Sequence, residues 1–177
     1  VFLKLRDKIN KKGLYIKYAN SQKIDSELIL DKDFLNFVGL WLADGCYDKK
    51  SVIVSVQEEE NREVVRRVGR KFGIPVKKHK DGFSLMINSS LLRDIMENIL
   101  ELKGKAYDKK IPEWIYNLSD KKVGEILKGF FSGDGCVSKN EVLFSICSKN
   151  LAEDIIVLLL RFGILSRGSY RLSSSSY

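Results

Sequence analysis

Histidine occurs once in this chain, at His79, and cysteine three times, at Cys46, Cys136 and Cys147, among 177 residues. No CxxC pair exists, so too few soft donors are present for a zinc site. Long apolar runs are also missing. The longest, residues 155–160, is far below membrane-spanning length, and residues 1–5 are too short a start, broken by Lys4, to open a secretory signal. The chain reads as cytoplasmic, with reduced thiols that serve packing and with no membrane partner. Acidic residues are the third shortage. Against 31 Lys and Arg there are 23 Asp and Glu, a net charge of +8 and a pI near 9.3, which favours an anionic partner, nucleic acid ahead of a membrane surface. With 44% hydrophobic and 31% charged residues, the composition is that of a globular chain and excludes a disordered tail.

What the sequence has in abundance is repetition. Residues 37–45, FVGLWLADG, return as residues 127–135, LKGFFSGDG, and both copies end in Asp-Gly. Apolar side chains at Phe34, Phe37, Val38 and Trp41, and at Val123, Ile126, Leu127, Phe130 and Phe131, recur at helical spacing. Gly39 with Ala43 and Gly129 with Gly133 lie four apart, giving each helix a bare stripe that another backbone can approach closely. Stripe-to-stripe packing predicts that Asp44 and Asp134 stand side by side at two negative helix poles, where paired carboxylates are disfavoured. A divalent cation is the simplest compensation, and all-oxygen ligands favour Mg²⁺.

The repeat extends beyond the motif. Residues 46–47 and 51–57 predict two strands about a polar turn at Asp48, Lys49 and Lys50, with Val52, Val54 and Val56 facing the core and Ile53, Ser55 and Gln57 on the other face. Residues 61–72 predict a helix, with Val64, Val65, Val68 and Phe72 inward and Gly73 at its end. A second hairpin follows over 75–80 and 83–88 about Asp81-Gly82, carrying Lys77, Lys78, His79 and Lys80, and Ser89 caps a helix running to about Leu102. In the second copy Asp134 answers Asp44, Cys147 answers Gln57, and Phe162-Gly163-Ile164 answers Phe72-Gly73-Ile74. Residues 168–176 resemble 82–90 with four fewer residues before them, and no closing helix follows. The predicted organisation is a basic N-terminal extension over 1–33, a first repeat over 34–104, a linker over 105–118 and a second, shorter repeat over 119–177. Residues 1–24 hold seven Lys or Arg against Asp7 alone, with a turn at Gly13 and a short strand behind it, a composition suited to phosphate contact.

The paired motifs resemble those of the LAGLIDADG homing endonucleases, most closely the archaeal and intein-borne kind. The resemblance implies an α+β fold of two pseudo-symmetric αββαββα homing-endonuclease-like halves, whose antiparallel strands form a basic saddle for double-stranded DNA. It implies metal-dependent phosphodiester hydrolysis, a staggered double-strand cut at a long asymmetric site, in the homing of an intein or intron. Asp44 and Asp134 would hold two or more Mg²⁺ ions, with Mn²⁺ as substitute; Leu42 and Ser132 stand where the family often has another acid. Intein-type members carry a functional lysine shortly before an Ile-Pro pair, which Lys109 matches here and Lys110 seconds. Gln57 matches a polar position that orders water near the metals, whereas Cys147 departs from it, so unequal cutting of the two strands is expected. Lys49, Lys50, Ser55, Gln57, Lys77, Lys78, His79 and Lys80 are the expected DNA contacts. With both repeats in one polypeptide a monomer is expected, possessing internal pseudo-twofold symmetry and an origin within a larger intein or host protein. Related chains act as RNA maturases or as DNA-binding regulators without cleavage, and these are the competing functions.

Overall fold

The structure is a computed structural model that describes residues 2–4, 15–18, 22–25, 27–139 and 141–170, with side chains from residue 28 onward. Four short strands open it: β1 (Phe2–Lys4), β2 (Tyr15–Tyr18), β3 (Gln22–Asp25) and β4 (Glu27–Ile29). The inner pair β2–β3 and the outer pair β1–β4 are both antiparallel, so the basic extension holds two nested hairpins where the sequence suggested a single strand. The remainder of that extension lies outside the described residues.

Helix α1 (Lys32–Asp44) follows. Its start is fixed by Asp31, whose Oδ1 accepts the Phe34 N–H at 2.9 Å, and Asp33 in the first turn suits the positive pole. Phe34, Leu35, Phe37, Val38, Leu40, Trp41 and Leu42 are all buried, as befits a helix surrounded by protein on every side. Strands β5 (Gly45–Asp48) and β6 (Ser51–Ser55), helix α2 (Glu59–Lys71) and strands β7 (Val76–Lys78) and β8 (Ser84–Ile87) complete an antiparallel sheet of order β5-β6-β8-β7. The Asp81-Gly82 turn forms as predicted: Gly82 adopts φ 79°, and Asp81 Oδ1 accepts the N–H groups of Phe83 and Ser84.

Val52, Val54 and Val56 enter the core, as their alternation requires. Ile53 faces the other way yet is only 7% exposed, because Cys46 and Met86 flank it on the neighbouring strands. That face is therefore partly closed. The helix after Ser89 also departs from expectation: α3 (Ser90–Asp94) passes into a wider π turn over Ile95–Ile99 that ends at Leu100, rather than continuing as one α-helix.

The chain then crosses through α4 (Glu113–Tyr116) into α5 (Asp120–Asp134), β9 (Gly135–Ser138), β10 (Glu141–Phe144) and α6 (Lys149–Leu160). Both copies thus give helix, two strands, helix, and the fold is α+β. They differ afterwards. Val142 is 58% exposed where its counterpart Val52 is fully buried beneath the second hairpin of the first copy. Residues 164–170 have no regular structure, and the strand expected over 168–176 lies largely outside the described residues. All three cysteines are exposed, which overturns their reading as packing residues: Cys46 is on the sheet face turned away from the valine-lined core, Cys136 on a strand exposed along its whole length, and Cys147 in the bend before α6. Among the described residues no helix is long and apolar enough to cross a membrane.

Candidate metal and nucleic-acid site at the helix crossing

Helices α1 and α5 run in the same direction and touch backbone to backbone. A Cβ placed on Gly39 would lie 2.0 Å from the Ile126 carbonyl oxygen, one on Gly129 2.0 Å from that of Asn36, and one on Gly133 2.6 Å from the Ala43 Cβ. Small residues are therefore compulsory along this seam. Since the helices are parallel, their C-terminal ends fall together, with Asp44 and Asp134 as the last residue of each. Asp44 is exposed and Asp134 half-buried. Partial burial, then the Asp44 carboxylate, raise the Asp134 pKa to about 6, while Lys109 opposes the shift.

Lys109 is the side chain that answers this negative pole. It is 2% exposed, and its ammonium donates to the carbonyl oxygens of Trp41 at 2.9 Å, Leu42 at 3.1 Å and Ala43 at 3.1 Å, lying 4.8 Å from the centre of the Trp41 ring. Its three protons thus meet carbonyls of the last turn of α1, of which Trp41 also accepts the Gly45 N–H while those of Leu42 and Ala43 lie among the helix-end carbonyls that lack an intrahelical donor. Burial lowers its pKa to about 8, against the pull of Asp44 and Asp134. The turn that delivers it depends on Gly104, at φ 98°, where a Cβ would come within 2.7 Å of the Asp108 backbone.

The end of α5 is served differently. Asn61 of α2, buried, donates from Nδ2 to the Ser132 carbonyl oxygen and to Glu58 Oε2, each at 3.3 Å. Sequence reasoning missed Asn61, as it missed Ser148 and Asp154 of α6. Ser148 Oγ donates to the Lys109 carbonyl oxygen at 2.6 Å, and Asp154 Oδ2 accepts the Ile111 N–H at 2.8 Å. For Ser148 a signal existed, since a serine ahead of an apolar helical run is a cap; nothing in the sequence marked the other two.

Among the described residues no group of three or more His, Cys, Asp and Glu side chains converges on a point. Two carboxylates form an open, all-oxygen pair rather than a closed cage, and their mutual repulsion is relieved by positive charge. That donor set fits Mg²⁺ or Mn²⁺ with coordination positions left for water and phosphate.

The remaining predicted residues surround this centre unevenly. Lys49 and Lys50 are exposed in the β5–β6 turn, Ser55 is half-buried at the end of β6, and Gln57 is exposed just beyond it. Lys77 and Lys78 are both exposed but, as neighbours in β7, point to opposite faces of the sheet. Lys77 shares its row with Met86, Ile53 and Cys46, on the face turned away from the core. His79 Nδ1 lies 2.9 Å from Asp81 Oδ2, so the imidazole is tied to the turn, while Lys80 is exposed within it.

Residues 121–176 match the family model of the LAGLIDADG-like domain. The chain is 31% identical over 176 residues to an uncharacterized protein of Methanocaldococcus jannaschii, covering 89% of this chain and 20% of that protein. It is 34% identical over 154 residues to the DNA polymerase II large subunit of Thermococcus kodakarensis, covering 82% and 8%. With the DNA-directed RNA polymerase subunit Rpo1C of M. jannaschii it shares 30% over 155 residues, covering 83% and 18%. The chain therefore spans a fifth or less of the length of these relatives. Among solved structures its fold is similar to that of I-DmoI in complex with DNA and Mn, with a TM-score of 0.56 and 14% identity, over 77% of this chain and 81% of that one. An α+β fold of the I-DmoI kind is thereby defined. Residues 121–176, most of the second repeat, are thereby assigned to the LAGLIDADG family.

Proposed function

We propose that this chain is a site-specific DNA endonuclease that hydrolyses phosphodiesters with a divalent metal, Mg²⁺ by preference. The observation that carries the reading is the parallel crossing of α1 and α5, which gathers Asp44 and Asp134 at one pole beside Lys109. A divalent ion held by the two acids would acidify a bound water and offset charge on the scissile phosphate. The protein's own residues supply the setting. Asp134, titrating near pH 6, is ionised at neutral pH, and Lys109 keeps the tip of α1 from being uniformly negative. Lys77 on the outer face of the sheet and Lys49 and Lys50 in its turn provide phosphate contacts that orient a duplex over the acids.

Host context supports homing. Similar segments occupy 8% of a DNA polymerase subunit and 18% of an RNA polymerase subunit, proteins of different function, as an inserted element would. The chain therefore serves as the endonuclease part of an intein or intron product, acting as a monomer on a long asymmetric site. The test is incubation with a genomic DNA library and Mg²⁺. Discrete double-strand cuts by the wild-type chain are expected, with binding but no cuts by Asp44→Asn or Asp134→Asn. Undiminished cleavage by either variant, binding without cutting by the wild type, or a strict need for intron RNA would each overturn it, the last two in favour of a regulator or a maturase.

A further inference from the structure

We infer that Ser148, the cap of α6 in the second repeat, and Asp154, on that helix, are positioning residues for the acidic tip of α1 in the first repeat, acting through residues 109–111. Only the consequence for cleavage rests on the endonuclease reading; the clamp itself stands on geometry. Ser148 is fully buried, and its hydroxyl does two things at once: it accepts the Leu151 N–H at 3.3 Å, capping α6, and donates to the Lys109 carbonyl oxygen at 2.6 Å. Asp154 uses both oxygens. Oδ2 takes the Ile111 N–H at 2.8 Å and Oδ1 the Tyr116 hydroxyl at 2.7 Å, so the segment is held on either side of Lys110.

Lys109 is thus fixed at both ends, its backbone by α6 and its ammonium by three carbonyls of the turn that ends at Asp44. A Lys side chain is flexible, and its head stays on those carbonyls only where its backbone is anchored. The arrangement is reciprocal. Asn61, on the second helix of the first repeat, grips the last turn of α5 beside Asp134. Each repeat's second helix therefore secures the other repeat's acid, one directly and one through the linker.

A purely stabilising role for Ser148 and Asp154 is the competing account, and two measurements on the full chain separate the two. The first is acetylation of Lys109 by acetic anhydride in metal-free buffer, read by mass spectrometry against the exposed Lys110. Lys109 is expected to be protected in the wild type, with its relative reactivity rising about tenfold in Ser148→Ala and Asp154→Ala, the loss of one buried hydrogen bond. Ser148→Thr, which keeps the hydroxyl, should restore protection. Leu158→Ala, which loosens α6 in the core but removes no hydrogen bond to the linker, should leave it intact at temperatures where all variants are folded. The second measurement is single-turnover cleavage against Mg²⁺ concentration: half-saturation should move upward about tenfold in Ser148→Ala but not in Leu158→Ala. Unchanged Lys109 reactivity in Ser148→Ala and Asp154→Ala, or an equal rise in Leu158→Ala, overturns the clamp. A wild type that cuts no DNA while keeping this acetylation pattern removes the endonuclease reading and leaves the clamp standing.

Discussion

Gly39 and Gly129 occupy each other's van der Waals space: a Cβ built on Gly39 falls 3.0 Å from the Gly129 Cα and closer still to two backbone atoms of α5. Nothing larger than hydrogen fits on either side. The paired acids depend on this approach, because it sets how near the two helix ends come.

Gly39→Ala or Gly129→Ala should therefore destabilise the fold, by about 1–3 kcal/mol or more, since backbone rather than a flexible side chain must yield. Gly124→Ala, on the same helix α5, is the contrast. A Cβ there meets nothing within 4 Å, and helix propensity predicts a gain of roughly 0.5–1 kcal/mol. Urea titration of the three variants checks both signs.

Asp134 gives a pH-dependent stability with a definite direction. Its folded pKa, near 6, is above its unfolded value of 3.8, so its contribution is present in full below pH 3.8 and is lost as pH rises through 6. In buffer with chelator, Asp134→Asn should melt higher than the wild type at pH 8, and the difference should shrink as pH falls from 6 to 4. Thermal melts across that range would expose an error as a constant or reversed difference.

Removing the Lys109 ammonium should cost about 1–3 kcal/mol, the penalty for leaving carbonyls of a last helical turn without a donor. Lys109→Met keeps most of the apolar stem and isolates that loss. Calorimetry should show a lower melting temperature, and Lys110→Met, at the adjacent exposed position, should show little change.

For DNA, the two faces of β7 predict unequal effects. Lys77→Ala should flatten the dependence of log K on log salt by about 1, the loss of one phosphate contact, and weaken binding to all sequences alike. Lys78→Ala, on the opposite face of the strand, should change the slope far less. Fluorescence anisotropy at several salt concentrations measures both; equal slopes for the two variants would contradict the face assignment.

The motif helices, their close approach and the joint placement of the acids were legible because spacing of small and apolar residues along a helix is a local property. Residues four apart share a face whatever the rest of the chain does. Alternating valines in β6 were legible for the same reason. What could not be read was set by distant partners. Ile53 is buried only because Cys46 and Met86 flank it, and the π turn over Ile95–Ile99 left no mark that propensity or periodicity records. Lys109 was found through family likeness, but its three carbonyl partners lie more than sixty residues away, and Ser148 and Asp154 gain their importance only from the path of the linker. The exposed cysteines were misjudged because residue type was weighed without surroundings: Cys46 is on the outward row of the sheet, Cys136 on a strand exposed throughout and Cys147 in a bend.

A consequence follows from a seam made of peptide backbone. Side chains can shuffle rotamers; two main chains pressed together cannot, so the interval between the carboxylate tips is gauged by helical pitch. If the chain is the endonuclease proposed above, substitutions on the outer face of the sheet would alter which duplex is recognised without disturbing that gauge, leaving recognition free to drift while the cutting geometry keeps its calibration.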